Sequence, residues 1–179
     1  MRILGAILAG GRSSRFGSNK ALALLDGRRL IDHVAAGLGP HVDALVLCGG
    51  TPLLDGVPFV PDRPAPDLGP LGGLNAALHH AAAHGFEAAV TIGCDMPVFP
   101  ADLVARLRAA GPPVSAAGMP LVGLWPARLA TVLDRHLADT ADRSMRSWVA
   151  LAGASAITPG GAFANVNRPE DLRNLPRSS

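Results

Sequence analysis

Short apolar runs alternate with segments of helical spacing along this chain, and the alternation predicts an α/β fold. The strongest strand signals are Ile3–Leu8, Ala44–Cys48 and Ala88–Gly93, which consist almost entirely of small or apolar residues, as buried strands do. Strands that alternate with helices are usually joined in parallel. We therefore expect three layers, with a mostly parallel central sheet and helices on both of its faces.

The other elements follow the same logic from weaker signals. Helices are predicted over Arg29–Leu38, Leu71–His84, a segment beginning at Pro100, Ala127–Leu137, Ser144–Ala152 and Pro169–Leu175. Shorter strands are predicted over Val57–Val60, Val114–Ala117, Leu121–Trp125 and, at the edge of the sheet, Ala154–Ile157. No repeat, low-complexity linker or boundary interrupts this pattern, so residues 1–179 are expected to form a single domain.

Composition and charge argue against several classes of protein. No apolar run reaches the ~18 residues of a membrane-spanning helix, and the apolar start, Met1–Ala9, leads into a glycine loop without the features of a signal peptide. The formal net charge of +2, without a basic run interleaved with aromatic residues, argues against nucleic-acid binding. We expect Cys48 and Cys94 to be reduced in a cytoplasmic protein.

The first candidate site is the glycine-rich segment at the end of the first predicted strand, residues 8–20. Gly10, Gly11 and Gly17 allow the backbone to approach a ligand closely, and successive amides in such a loop can bind an anion. Arg15 and Lys20 can neutralise a triphosphate, and Lys20 is the only lysine beside 15 arginines. The spacing fits neither a Walker A loop nor the dinucleotide fingerprint, so a structural tight turn remains the alternative.

A second candidate follows the predicted central strand, where Asp95 lies between Cys94 and Met96. Open α/β sheets bind ligands at the carboxyl edge of their strands. A carboxylate at that edge is a suitable ligand for Mg²⁺ that bridges phosphates. The alternative is that Asp95 only caps the turn before Pro97.

Asn165 and Asn167 form a third candidate near the end of the sequence. They fall on one face if the segment is extended, and amide oxygens can complete a Mg²⁺ shell without adding charge. Asn167 can also begin a helix, with Pro169, Glu170 and Asp171 in its first turn. The two roles are compatible.

The segment from Asp67 to Leu74 is a fourth candidate, because its glycines lead into a predicted helix. Amides at a helix N-terminus favour anions, so this segment can face a substrate. Gly72 and Gly73 can equally serve close packing of the helix against the sheet.

Taken together, these segments resemble the molybdenum cofactor guanylyltransferase family, which has the nucleotide-diphospho-sugar transferase fold. Four segments match in order along nearly the whole chain: Leu8–Ala21, Gly69–Leu74, Cys94–Pro97 and Asn165–Leu172. The resemblance implies a Rossmann-like nucleotidyltransferase that transfers GMP from GTP to the phosphate of molybdenum-molybdopterin. The implied products are the guanine dinucleotide cofactor and pyrophosphate.

By matching position, the resemblance also implies roles for individual residues. The implied catalytic residues are Lys20, Arg15 and Asp95; the implied nucleotide-binding residues are Leu8, Ala9, Gly10, Gly11, Lys20, Asp62 and Asp95; and the implied Mg²⁺ ligands are Asp95 and Asn167. GTP and the molybdopterin cofactor are the expected partners, together with a molybdoenzyme or a delivery protein. The ionised acceptor phosphate would attack the α-phosphorus in line, with catalysis by positioning and charge neutralisation.

The sequence also departs from the family pattern, and other functions stay open. Asn19 stands where Asp is usual, Phe16 where Met is usual, and Cys48 where some members have a nucleotide-contacting Asn. The nearest alternative is a cytidylyltransferase acting on the same pterin, which usually carries Leu-Ala-Ala-Gly in the loop; glycine at position 10 would leave room for a bicyclic base. Further alternatives are transfer to a cobamide precursor or a sugar phosphate, and a non-enzymatic nucleotide sensor or delivery protein.

Overall fold

A seven-stranded sheet forms the centre of the part of the chain that the computed structural model describes, residues 1–10, 20–168 and 170–171. The strands are β1 (Ile3–Leu8), β2 (Leu24–Leu25), β3 (Arg28–Arg29), β4 (Ala44–Cys48), β5 (Phe59–Val60), β6 (Ala88–Gly93), β7 (Val114–Ala116), β8 (Met119–Pro126) and β9 (Ser155–Ile157). Their order in the large sheet is β5-β4-β1-β6-β8-β7-β9, and β2 and β3 form a separate hairpin. Only β8 runs against its neighbours β6 and β7, so the prediction of a mostly parallel sheet is confirmed.

Helices cover both faces of this sheet. They are α1 (Leu30–Leu38), α2 (Pro70–Ala83), α3 (Leu103–Ala110), α4 (Ala130–Asp139) and α5 (Met145–Leu151), with 3₁₀ turns at Lys20–Leu22, Gly39–His41 and Ala127–Leu129. The predicted last helix, Pro169–Leu175, lies mostly outside the described residues. No helix in the described ranges combines the length and apolar character needed to cross a membrane.

The alternation of side chains along β1 divides the core into two clusters. Leu4, Ala6 and Leu8 pack with the buried sides of α2, α4 and α5, whereas Ile3 and Ile7 pack with those of α1 and α3. Successive residues of a strand point to opposite faces of a sheet, so the two clusters lie on opposite faces. This arrangement confirms the predicted three layers.

The structure differs from the sequence prediction mainly in its short elements. The β2–β3 hairpin was not predicted, and its turn residues Asp26 and Gly27 both have positive φ angles, 50° and 77°. The helix expected over Ala127–Leu137 is divided into a 3₁₀ turn and α4, and β8 is longer than the predicted strand over Leu121–Trp125. These differences do not affect the order of the central strands.

Parallel pairing brings the ends of four strands to one edge of the sheet. Leu8 is in register with both Cys48 and Gly93, and Cys48 is in register with Val60. Each of these residues is the last of its strand. The segments that follow them therefore meet at the carboxyl edge, where ligands bind in open α/β sheets.

Thr91 in β6 forms buried hydrogen bonds in the sheet, and their contribution to stability can be measured. Its hydroxyl donates to the carbonyl of Leu121 at 2.6 Å and accepts the indole N–H of Trp125 at 2.9 Å, and neither Thr91 nor Trp125 is exposed. Thr91→Val leaves this buried N–H unpaired, so we expect a loss of about 1–3 kcal/mol in the free energy of unfolding. Thr91→Ser keeps the hydroxyl and should cost only about 1 kcal/mol for the lost methyl group. Urea unfolding that finds the Val variant as stable as the wild type, or more stable than the Ser variant, contradicts this expectation.

Candidate active site

The Lys20 ammonium connects two predicted motifs that are far apart in the sequence. Its Nζ donates to Oδ2 of Asp95 at 2.6 Å and to Oδ1 of Asn167 at 2.9 Å, across separations of 75 and 147 residues. The side chains of Lys20 and Asp95 are only 15% and 24% exposed. Three residues singled out in the sequence are thus in direct contact at the carboxyl edge of the sheet.

The turn after β6 aims the Asp95 carboxylate at this point. The backbone closes the turn, because the amide of Met96 donates to the carbonyl of Gly93 at 3.1 Å. A Cβ at Gly93 would fall 2.5 Å from Oδ1 of Asp95, so a larger residue there would displace the carboxylate. The Asp95 side chain pairs with Lys20, which favours the ligand-site interpretation over a simple turn cap.

The segment that carries Asn167 is attached to the same turn by backbone hydrogen bonds. The amide of Val166 donates to the carbonyl of Asp95 at 2.8 Å, and the amide of Ala164 donates to the carbonyl of Val98 at 3.0 Å. Val166 is buried while Asn165 and Asn167 are exposed, so the predicted alternation is confirmed. Asn167 therefore reaches Lys20 from a segment that is anchored independently of Lys20.

Asp171 holds Asn167 in place and was not assigned a role in the site from the sequence. Its Oδ2 accepts the backbone amides of Asn167 and Arg168 at 2.7 and 2.8 Å. These bonds lower the pKa of the Asp171 carboxyl, because they stabilise its charged form. An acidic residue four positions after an Asn that begins a turn was the signal available in the sequence.

A second part of the edge is built around Asp62, just beyond β5. A Cβ at Gly10 would fall 3.2 Å from Oδ2 of Asp62, and Cβ atoms at Gly49 and Gly72 would fall 2.5 Å from its Oδ1 and 3.1 Å from its Cγ. Glycine at these three positions therefore allows the backbone segments to surround this carboxyl group closely, and the constraint is strictest at Gly49. The missing Cβ at Gly10 leaves space beside Asp62, and the room that glycine was expected to leave there for a bicyclic base stays a prediction.

The Asp62 carboxyl group has an unused acceptor. Its Oδ1 is buried and has no hydrogen-bond partner among the described residues. Burial raises the pKa of this carboxyl, and the charge of Asp67 adds to the effect. A buried acceptor without a partner is costly in a folded protein, which is a reason to expect a donor from a ligand.

The other glycine motif leads into α2 through Gly69, whose φ is 65°. Gly73 is close to the side chain of Leu8, at 3.3 Å from an added Cβ, and Gly72 is close to Asp62. These contacts bear out the interpretation of Gly72 and Gly73 as close-packing residues. Anion binding by the amides of this helix stays a prediction.

The remaining residues of the predicted site divide into two groups. Leu8 is buried at the end of β1, and the amide of Ala9 donates to the carbonyl of Cys48 at 2.9 Å. Gly11 and Arg15 lie outside the described residues, and their roles stay predictions.

The two cysteines are unsuited to act as nucleophiles. Burial raises the pKa of the Cys48 thiol, and burial together with the charge of Asp95 raises that of Cys94 to about 12. A thiol reacts through its thiolate, and these values leave almost none at neutral pH. Both thiols are therefore poor candidates for a covalent nucleophile.

Asp95 and Asn167 form a donor set that suits Mg²⁺. One carboxylate oxygen and one amide oxygen point at the same cation position, now defined by the Lys20 ammonium. The described residues contain no group of three or more His, Cys, Asp or Glu that would hold a metal ion. Two hard oxygens are what Mg²⁺ uses when phosphates and water complete its shell.

Comparison with known proteins identifies the family to which the chain belongs. Residues 5–156 match the family model described as the MobA-like NTP transferase domain. The molybdenum cofactor guanylyltransferase of Rhodobacter capsulatus is 42% identical over 183 residues, which cover 96% of this chain and 94% of that protein. The enzyme of the same name from Rhizobium leguminosarum bv. trifolii is 36% identical over 193 residues, covering 98% and 92%.

Solved structures agree with this assignment at the level of fold. The molybdopterin-guanine dinucleotide biosynthesis protein A of Archaeoglobus fulgidus superposes with a TM-score of 0.76 at 21% identity, covering 96% of this chain and 95% of that one. A 4-diphosphocytidyl-2C-methyl-D-erythritol synthase superposes with a TM-score of 0.68 at 15% identity, covering 97% and 95%. The expected Rossmann-like nucleotidyltransferase fold is confirmed, and the chain belongs to the family of MobA-like NTP transferase domains.

Proposed function

We propose that this chain transfers the GMP unit of GTP to the phosphate of molybdenum-molybdopterin, forming the guanine dinucleotide cofactor and pyrophosphate. The observation that carries nucleotidyl transfer is the contact of one ammonium with both Asp95 and Asn167 at the carboxyl edge of the sheet. The choice of GTP and pterin as substrates rests on the relatives named molybdenum cofactor guanylyltransferase, which are similar to this chain along nearly its whole length.

The reaction needs positioning more than it needs a chemical group from the protein. A phosphate oxygen of the acceptor forms a bond to the α-phosphorus of GTP, and the bond from that phosphorus to the bridging oxygen of pyrophosphate breaks. The acceptor phosphate is already ionised at neutral pH, so neither a base nor a covalent nucleophile is required. The high pKa values of both thiols agree with this requirement.

The side chains at the edge supply charge neutralisation in this proposal. Lys20, together with Arg15, binds the phosphates and offsets the negative charge that moves onto the leaving pyrophosphate. Asp95 and Asn167 would hold Mg²⁺, which would neutralise further negative charge on the phosphate oxygens. The backbone of Gly10 and Gly11 adds amides to the same anion site.

The Asp62 carboxyl group serves the nucleotide in this proposal. Its carboxylate accepts an N–H or O–H of the base or the ribose beside Gly10. Gly10 lies beside it, and in this proposal the backbone of Leu8, Ala9 and Gly10 contacts the guanine. Purine selectivity then depends on donors and acceptors in fixed positions.

The choice of base is the first prediction. We expect GTP to bind at least about tenfold tighter than CTP, equivalent to 1.4 kcal/mol, because guanine offers two adjacent N–H donors to fixed acceptors and cytosine offers one. Isothermal titration calorimetry in the presence of Mg²⁺ measures both affinities. Equal or tighter binding of CTP would mean that the chain is a cytidylyltransferase.

Removal of the metal-binding charge is the second prediction. Asp95→Asn keeps the size of the side chain but loses its charge, so we expect pyrophosphate release at saturating GTP, acceptor and Mg²⁺ to fall by roughly 10²-fold. Asp102→Asn is a matched control, because that exposed carboxylate contacts only Arg106 among the described residues. A near-normal rate in the Asp95 variant would show that the carboxylate is only a turn residue.

The third prediction separates the stability and binding roles of Asp62. Burial raises the pKa of its carboxyl, so folding favours the protonated form, and its contribution to stability falls as pH rises through the folded pKa. Asp62→Asn should therefore raise the melting temperature at about pH 7, with a smaller gain at about pH 4, while GTP affinity falls. An Asn variant that is destabilised at both pH values, or that binds GTP normally, contradicts the assignment.

A further inference from the structure

Lys20 contacts the two oxygens that the proposed function assigns to the metal. Its ammonium lies 2.6 Å from Oδ2 of Asp95 and 2.9 Å from Oδ1 of Asn167. Magnesium binds oxygen at about 2.0–2.1 Å, so a Mg²⁺ that binds both of these oxygens would lie close to the ammonium group, and the two positive charges would repel each other. The lysine and the metal therefore compete for one position.

We propose that Lys20 is the resident cation of this site, and that Asp95 and Asn167 accept Mg²⁺ only when a nucleoside triphosphate draws Lys20 away. This inference rests on the proposed function, because it assumes that a triphosphate binds beside Lys20. It adds a binding order to that function: metal and nucleotide enter together, and the metal alone is held back.

Charge balance gives the physical reason. The ammonium and the Asp95 carboxylate neutralise each other in a largely buried pair, with 15% and 24% of their side chains exposed. A divalent cation that approaches this pair gains little from the neutralised carboxylate and is repelled by the ammonium. A triphosphate brings several negative charges, offers Lys20 new acceptors, and so releases the carboxylate to the metal.

The arrangement also allows Lys20 to leave without disturbing its partners. Asp95 and Asn167 are held by contacts of their own. The Val166 amide donates to the Asp95 carbonyl, and the amides of Asn167 and Arg168 donate to the Asp171 carboxylate. Lysine carries its charge on a flexible four-carbon stem. The oxygens can therefore stay in place while the ammonium moves to the phosphates.

Metal binding without nucleotide tests the competition directly. Electron paramagnetic resonance of Mn²⁺, which stands in for Mg²⁺, measures the affinity of wild type and of Lys20→Met. We expect the Met variant to bind Mn²⁺ at least about tenfold tighter, because the competing charge is gone. The gain should vanish in the double variant Lys20→Met/Asp95→Asn, which lacks the carboxylate ligand. Equal or weaker binding by Lys20→Met overturns the inference.

A second measurement uses the wild-type chain and does not depend on the folding of a variant. Lys20 is the only lysine, so protein grown with ¹⁵N-lysine gives a single side-chain ammonium signal in an ¹H–¹⁵N spectrum. Mg²⁺ alone should leave this signal unchanged, and Mg²⁺ with GTP should shift it. A shift with millimolar Mg²⁺ alone that matches the shift with Mg²⁺ and GTP would overturn the binding order.

The inference and the proposed function fail separately. A wild-type chain that releases no pyrophosphate from GTP and acceptor contradicts the proposed function, even if Lys20→Met gains affinity for Mn²⁺. A wild-type chain that is active but binds Mn²⁺ as tightly as Lys20→Met contradicts the inference. By linkage, the metal and the nucleotide must raise each other's affinity by the same factor, and calorimetry in both orders of addition checks that equality.

Discussion

Because β1 pairs in parallel with both β4 and β6, three strands end side by side at one edge of the sheet. Everything in the candidate site depends on this pairing. The pairing puts the turn after β6, which contains Asp95, beside the end of β1. The segment that contains Asn167 is bound to the same turn by the hydrogen bond from the Val166 amide. A single ammonium, that of Lys20, can reach both side chains only because the sheet has brought them together.

The two carboxyl groups at the edge differ in how their charge and hydrogen-bonding capacity are compensated. Lys20 compensates the charge of Asp95, whereas Asp62 has a buried oxygen without a partner among the described residues and a raised pKa. An uncompensated buried acceptor lowers stability, and such groups persist where function needs them. In the proposed complex the ligand interacts with both groups. Its phosphates attract Lys20, and a donor of the nucleotide forms a hydrogen bond with Asp62.

The central strands and the meeting of Asp95 with the glycine loop were predictable from the sequence, because short apolar runs and the strand-end rule for α/β sheets do not depend on tertiary detail. The position of Asn167 beside Asp95 was predictable only from the family resemblance. The reversed direction of β8 was not, since hydrophobic pattern carries no information on strand direction. The β2–β3 hairpin was missed although Asp26-Gly27 is a strong turn signal. The crowding of Gly10 against Asp62 depends on three-dimensional contact between segments about fifty residues apart, which no local pattern encodes.

The central claim is that GMP, and not a phosphate or another nucleotide, is transferred to a pterin phosphate. The direct test incubates the purified chain with molybdenum-molybdopterin, Mg²⁺ and GTP labelled at the α-phosphate, and identifies the labelled products by chromatography and mass spectrometry. We expect the label to move into a guanine–pterin dinucleotide in an amount equal to the pyrophosphate released. Label that stays in GTP, or appears only as free GMP or GDP, would contradict it.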